Sequence, residues 1–199
     1  MRRLIVPLLL LLSAASALAE VPLSQVEQRL DRARAVRGEF VQTRELVGVK
    51  KPLRASGRFL VDRERGVVWR TDKPFSQSMR ITRERIVQRS GGQETLRLDA
   101  QREPVVGTIG GVLFALFAGD FNALAAHFEV DASVAGPRWQ VKLKPREVAL
   151  GKLVTGLTLD GAGTVQHIVL TGAGGDITRI EFSGVTVGDT VDEAEWLHE

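Results

Sequence analysis

The sequence predicts an α+β, mainly β domain of antiparallel strands, and three observations carry that expectation. The apolar period changes from about 3.6 to 2 after a first helical stretch; period-2 alternation then recurs in short runs on both sides of one uncharged segment; and Gly- and Asp-rich turns separate the later runs.

Leu23, Val26, Leu30 and Ala33 lie at helical spacing with charges between them. Residues 23–33 are therefore expected to form one amphipathic helix, with Ser24 as N-cap and Glu27 as its capping-box partner. Beyond it Leu53, Ala55, Gly57, Phe59 and Val61 alternate with Arg54, Ser56, Arg58 and Leu60. Val67 and Trp69 alternate with Val68 and Arg70, and Gln77, Met79 and Ile81 with Ser78, Arg80 and Thr82. These read as half-buried antiparallel strands with one apolar face and one arginine-rich face. The charged runs Asp62-Arg63-Glu64-Arg65 and Arg83-Glu84-Arg85 read as turns between them.

The stretch 105–119 interrupts this pattern, holding no charge and a single hydroxyl, Thr108. It is too short to span a bilayer and lacks the polar face of an ordinary surface helix. Such a helix must be wrapped on every side as core, or must line or cover an apolar cavity. Gly107, Gly110 and Gly111 lower its helical stability by roughly 1 kcal/mol each relative to Ala, which suits a segment that moves. A short helix over 121–127 with Asp120 as its cap is expected next. Trp139, Val141 and Leu143 then alternate with Arg138, Gln140, Lys142 and Lys144. Runs 153–159, 165–170 and 177–187 follow, with turns expected at 160–163 and 172–176, so the chain should close as a meander.

Met1-Arg2-Arg3, the apolar run 4–12 and the small residues ending Ala17-Leu18-Ala19 have the form of a secretory signal, with cleavage expected after Ala19. Residues 1–19 are thus read as a signal peptide and 20–199 as one domain exported to the periplasm. The chain has no cysteine, so neither a disulfide nor a lipid-anchoring thiol is available. Of 27 Lys and Arg against 24 Asp and Glu, Arg2 and Arg3 belong to the leader, leaving a balance of +1. That balance removes most of the case for nucleic acid as a partner. Residues 20–103 carry 19 basic and 12 acidic side chains, residues 104–199 carry 6 and 12. The asymmetry fits either solvated faces of a sheet or opposite poles shown to successive partners.

His127, His167 and His198 are scattered without metal-ligand spacing, and no nucleophile-elbow or phosphate-loop motif is present. Neither a metal nor a cofactor is expected, and the enzyme reading is the least favoured.

The order of elements, together with Gly38-Glu39-Phe40-Val41-Gln42, Gly57-Arg58-Phe59, Gly66-Val67-Val68-Trp69 with Pro74 after it, and the hairpins over 165–187, resembles the LolA family of periplasmic carriers of outer-membrane lipoproteins. The likeness spans nearly the whole mature chain, and the arginine-rich first half resembles divergent members, some associated with export of pigment or other unusual lipids. The resemblance implies an incomplete antiparallel β-barrel with apolar helices covering its concave face. It implies a monomeric carrier that takes an acylated lipoprotein or lipid cargo from an inner-membrane donor and passes it to an outer-membrane acceptor. The candidate cavity lining is Phe40, Phe59, Trp69, Met79, Ile81, Leu113, Phe114, Phe117, Trp139, Val141 and Leu143. In the family an arginine before the Trp strand closes the lid through backbone carbonyls. Counting from Gly57 to Trp69 gives that role to Arg63, and because Glu64 stands where the family has proline, Arg65 is a second candidate. The leading alternative is a LolA-like sensor or scaffold domain with a filled core and no transport role.

Overall fold

The computed structural model describes residues 22–102 and 104–197, without the side chains of 104–106, 109, 113, 117 and 197. The expectations for the leader, its cleavage site and His198 lie outside the described residues. In chain order the elements are α1 (Leu23–Glu27), β1 (Ala35–Glu45), β2 (Leu53–Asp62), β3 (Gly66–Lys73), β4 (Gln77–Ile81), β5 (Arg85–Ser90), β6 (Gln93–Asp99), α2 (Pro104–Ala118), α3 (Phe121–Ala125), β7 (Phe128–Ala135), β8 (Arg138–Pro145), α4 (Val148–Gly151), β9 (Val154–Ala162), β10 (Thr164–Gly172), β11 (Ile177–Gly188) and α5 (Glu193–Leu197).

The strands form one open antiparallel sheet of 11 in the order β6-β5-β4-β3-β2-β1-β11-β10-β9-β8-β7. The chain starts at the middle of the sheet and meanders out to the β6 edge. It crosses through α2 and α3 to the β7 edge, then meanders back until β11 pairs with β1. Each wing is therefore built from sequence neighbours, and the β1–β11 ladder joins them, with Phe40 opposite Phe182. Alternation decides which residues meet on one face. Phe40 lies opposite Gly57, Phe59 opposite Trp69, and Trp69 opposite Met79. Gly57 is obligatory at its place, since a Cβ there would stand 1.8 Å from the Arg70 carbonyl oxygen of the neighbouring strand.

Two apolar clusters fill the interior. One gathers Val36, Phe40, Phe59, Val61, Val67, Trp69, Ile81 and Ile86 from the first wing. The other joins Val26, the α2 residues Val112, Ala115 and Leu116, the α3 residues Phe121 and Leu124, and the inward residues of β7–β10, among them Trp139, Val141 and Leu143. α2 also packs against β2 through β6, so one helix of about 22 Å touches both wings. Among the described residues no helix is long and apolar enough to cross a membrane.

Several expectations need correction. The first helix stops at Glu27 rather than reaching Ala33, and its N-cap is Pro22, so Ser24 lies inside the helix and makes no capping box with Glu27. Tertiary pairing overrides the helical period here. Leu30 forms a bridge with Gly163, and the Asp31 amide donates to the Gly163 carbonyl at 2.6 Å. Glu27 instead accepts from Asn122 Nδ2 at 2.6 Å. The helix after Asp120 ends at Ala125, not His127, while the Asp120 carboxylate does accept from the Ala123 amide at 3.0 Å. The turn expected over 160–163 narrows to Gly163 at φ 75°, because Asp160 and Gly161 belong to β9. The arginine-rich face of the first wing is not wholly solvated either. Leu60 and Val68 on that side are buried with Ala35 beneath Trp196 of α5.

Candidate functional site

Side chains on one face of a sheet can meet across an intervening strand where that strand carries a glycine, and this places the first part of the site: β2 sets Gly57 opposite Phe40, and β1 sets Gly38 opposite Phe59. Phe40 and Trp69 stack with centroids 3.8 Å apart, and Phe59 meets the Phe182 ring edge-on at 4.9 Å. Ile81 is buried with them, and Met79 packs against the group half-buried. Of the sequence candidates, Phe40, Phe59, Trp69, Met79 and Ile81 thus come together on the first wing. Trp139, Val141 and Leu143 belong to the second wing's cluster, with Phe121 edge-on to Trp139 at 5.5 Å. Trp139 Nε1 is buried without an acceptor among the described residues. Phe114 is buried on α2, where the Arg83 guanidinium lies 4.6 Å from its ring centroid. The side chains of Leu113 and Phe117 lie outside the described residues.

Ile180 and Phe182 of β11 pack against both clusters and so mark the seam between the wings. At the end of this seam lies a cleft of ≈ 30 Å³ lined by Leu30, Val36, Phe59, Val61, Arg63, Ala118, Gly119, Gly163, Thr164, Val165 and Phe182. That volume holds about one water molecule. Of this lining the sequence candidates include Phe59 and Arg63, while Leu30, Val36, Val61, Val165 and Phe182 were missed. The signal for Phe182 was its alternation with Ile180 on β11, but only the β1–β11 register brings it opposite Phe40.

Arg63 reaches this cleft from the β2–β3 turn. Its Nη2 donates to the Asp31 carbonyl in the segment between α1 and β1, not to a carbonyl of α2. Burial lowers the Arg63 pKa below the usual guanidinium range, with Asp31 opposing the shift, and Nε is buried without an acceptor among the described residues. Facing it, α2 ends in a left-handed glycine. Gly119 has φ 67°, the Asp120 amide donates to the Ala115 carbonyl at 2.9 Å, and a Cβ on Gly119 would come 2.7 Å from Leu30 Cδ1. Helix end, Leu30 and the loop held by Arg63 therefore meet at one place.

Arg65, the second candidate, points elsewhere. Asp62 is fully buried, at 0% exposure. It accepts from the Glu64 and Arg65 amides at 2.9 and 3.3 Å, from Arg65 Nε at 2.9 Å and from Arg34 Nη2 at 3.2 Å. Burial alone would raise its pKa, but these four donors hold it below the ordinary carboxylate value. Arg65 also donates to Glu193 at 2.7 Å, and despite burial its pKa is raised by Glu193 and Asp62. Asp62 is a structural hub and Arg65 one of its partners, not a solvated turn charge.

Among the described residues no group of three His, Cys, Asp or Glu could hold a metal ion. His127 and His167 each bond one carboxylate, Glu147 and Asp160, at 2.7 Å.

An open antiparallel sheet of 11 strands, crossed by one uncharged helix and divided by an aromatic seam, defines the class of this domain. The family model described as outer membrane lipoprotein carrier protein LolA-like matches residues 14–195, and the chain belongs to that family. Among solved structures, a LolA superfamily protein from Nitrosomonas europaea shares the fold at 9% identity and a TM-score of 0.50, covering 88% of this chain and 97% of that one. A DUF1329 family protein from Desulfovibrio piger aligns at 11% identity and a TM-score of 0.49, covering 88% and 95%. No curated protein matches the chain by sequence.

Proposed function

We propose that the protein is a periplasmic carrier that shields the acyl chains of a lipoprotein or other lipid between its two wings and hands the cargo toward the outer membrane. The observation that carries this reading is α2, a 15-residue helix without a charged side chain that joins the two edges of an open sheet and packs against both wings. An acyl chain with about 15 buried methylenes gains roughly 0.8 kcal/mol for each, on the order of 12 kcal/mol, wherever it leaves water. The carrier must supply that surface and still let go.

The cleft of ≈ 30 Å³ is about tenfold too small for an acyl chain, since ligand pockets run to ≈ 300–1,000 Å³. In this reading the structure is the closed state, in which α2 and α3 act as the cover of the sheet's concave face. Binding requires α2 to leave the seam, or the Phe40–Trp69 stack to part, and the cost of that opening weakens net affinity and permits release. Arg63, anchored on the Asp31 carbonyl beside the end of α2, acts as the latch. Export by the leader, a monomeric state and an inner-membrane donor with an outer-membrane acceptor belong to the same proposal, which requires no catalytic step.

The filled interior also favours a second reading, a LolA-like sensor or scaffold with no cargo. Native mass spectrometry of protein extracted gently from the periplasm separates the two. Lipid bound at near-unit stoichiometry is expected of a carrier; protein that carries no lipid and leaves a fluorescent fatty acid unbound would establish the scaffold reading. Hydrolysis of an acyl ester would overturn both.

A further inference from the structure

On the face of the first wing opposite the seam, alternation aligns arginines along neighbouring strands, among them Arg37 on β1, Arg58 on β2, Arg70 on β3 and Arg80 on β4. The segment after β11 lies across this row. Residues 189–197 contain Asp189, Asp192, Glu193 and Glu195 and no Lys or Arg. Arg37 Nη2 donates to the Thr190 carbonyl at 2.7 Å, Arg70 Nη2 to the Glu195 carbonyl at 2.7 Å and Arg80 Nη2 to the Trp196 carbonyl at 3.0 Å. Arg65 pairs with the Glu193 carboxylate, and Arg37 lies 3.4 Å from that of Glu195. Trp196 is buried on Leu60 and Val68, with the Arg65 and Arg80 guanidiniums 4.6 and 5.7 Å from its ring centroid.

These contacts read features that any acidic peptide with one aromatic residue possesses: main-chain carbonyls, two carboxylates and a flat ring. The arginine row also runs on past the segment over residues 189–197, which forms a strap across it. One groove of ≈ 240 Å³ lies between Arg37, Arg58, Arg70 and Glu195, and another of ≈ 290 Å³ continues beside Arg58, Arg70 and Arg89 to the β5–β6 turn. Arg58, whose side chain is 65% exposed, has Asp72 at 3.5 Å. Burial lowers the Arg70 and Arg80 pKa values, and neighbouring arginines add to the shift, Arg58 and Arg80 for the first, Arg89 and Arg65 for the second.

We infer that the outer face of β1–β4 is a docking site for an acidic, aromatic-anchored peptide segment of a partner protein, and that residues 190–197 are its resident, displaceable occupant. Arginine rows commonly recognise acidic motifs in this way. The site is separate from the acyl-chain seam, so it stands or falls without the carrier reading.

The probe is a fluorescein-labelled peptide with the sequence of residues 189–197, titrated by anisotropy into the full chain and into a Trp196→Ala/Glu193→Gln variant whose own strap is loosened. The variant is expected to bind the peptide at least tenfold more tightly than wild type does. Adding Arg70→Gln and Arg80→Gln should remove at least tenfold of that affinity, and raising the salt should weaken it further. Equal binding by wild type and a folded loosened variant, or equal binding of a peptide with its carboxylates replaced by amides, would overturn the site. So would binding of the loosened variant to phosphatidylglycerol vesicles, or its assembly into dimers, with no peptide bound. Should the variant fail to fold, hydrogen exchange on wild type decides. Saturating unlabelled peptide should speed exchange of the 193–197 amides at least fivefold, and unchanged exchange would mean that the strap is a fixed part of the fold.

Discussion

Replacing Arg63 by Leu tests the latch directly. The substitution removes the bond from Nη2 to the Asp31 carbonyl, which ties the α1–β1 segment beside Gly119. A hydrogen bond from a charged group contributes ~1.5–3 kcal/mol. Part of this is offset, because the guanidinium is substantially buried with Nε lacking an acceptor among the described residues, and a leucine of similar reach relieves that cost. The closed state should therefore lose about 1–2 kcal/mol, a 5–30-fold shift toward the open form. If cargo enters by that opening, binding tightens by the same factor and release slows. The assay is transfer of a bound fluorescent acyl ligand to acceptor vesicles, run beside thermal unfolding, with exposed Arg32→Gln as the control. A lower Tm with unchanged transfer would make Arg63 a structural tie and refute the latch.

Arg65→Leu should behave differently, lowering stability by about 1–3 kcal/mol without altering release, because it removes a donor from buried Asp62; slowed transfer would give Arg65 the latch role instead. The pKa of Asp62 is lower folded than unfolded, so its contribution to stability is complete above the unfolded value of about 3.9 and disappears as pH falls through the folded value. Urea midpoints measured from pH 6 down to 2.5 should show that loss in wild type and a shallower slope in Asp62→Asn. Gly57→Ala should destabilise by about 1–3 kcal/mol or prevent folding, since its methyl meets the Arg70 carbonyl; a wild-type Tm would contradict the close approach of β2 and β3. Phe114→Asp, which puts a carboxylate beside Arg83 in an apolar place, should lower fatty-acid binding in a protein that circular dichroism finds folded. Binding at the wild-type level would remove α2 from the site.

Local patterns in the chain identified what local physics decides. Alternation over 53–61 and 138–144, the uncharged run that became α2, the Asp120 cap and the 172–176 turn were all legible because each depends on residues a few positions apart. Partners that arrive from far along the chain were not. The period of 23–33 continues in the sequence past Glu27, yet the bridge from Leu30 to Gly163 ends the helix. Arg65 reads as a solvated turn charge until Asp62 is buried beneath it and Glu193 arrives from 128 positions away. The candidate lining was recognisable as apolar, but not that Trp69 and Trp139 would fall in separate clusters with Phe182 between them. Family membership and the open-sheet fold agree with the resemblance; the latch role of Arg63 rests on the assay above.

The sheet order also sets a sequence of events for folding. β1 through β6 pair with one another in sequence order, so the ladders of this wing can assemble while the rest of the chain is still unstructured. Until β11 arrives from more than 130 residues away, β1 is an open edge, with Phe40 and Val36 lacking the strand that completes their surroundings. Closing so long a loop is entropically costly and slow. An apolar strand edge left waiting is a template for pairing with other chains. The interval between completion of the first wing and docking of β11 is thus when this protein is most exposed to aggregation, and variants at the β1–β11 ladder should lower soluble yield more than their effect on Tm would suggest.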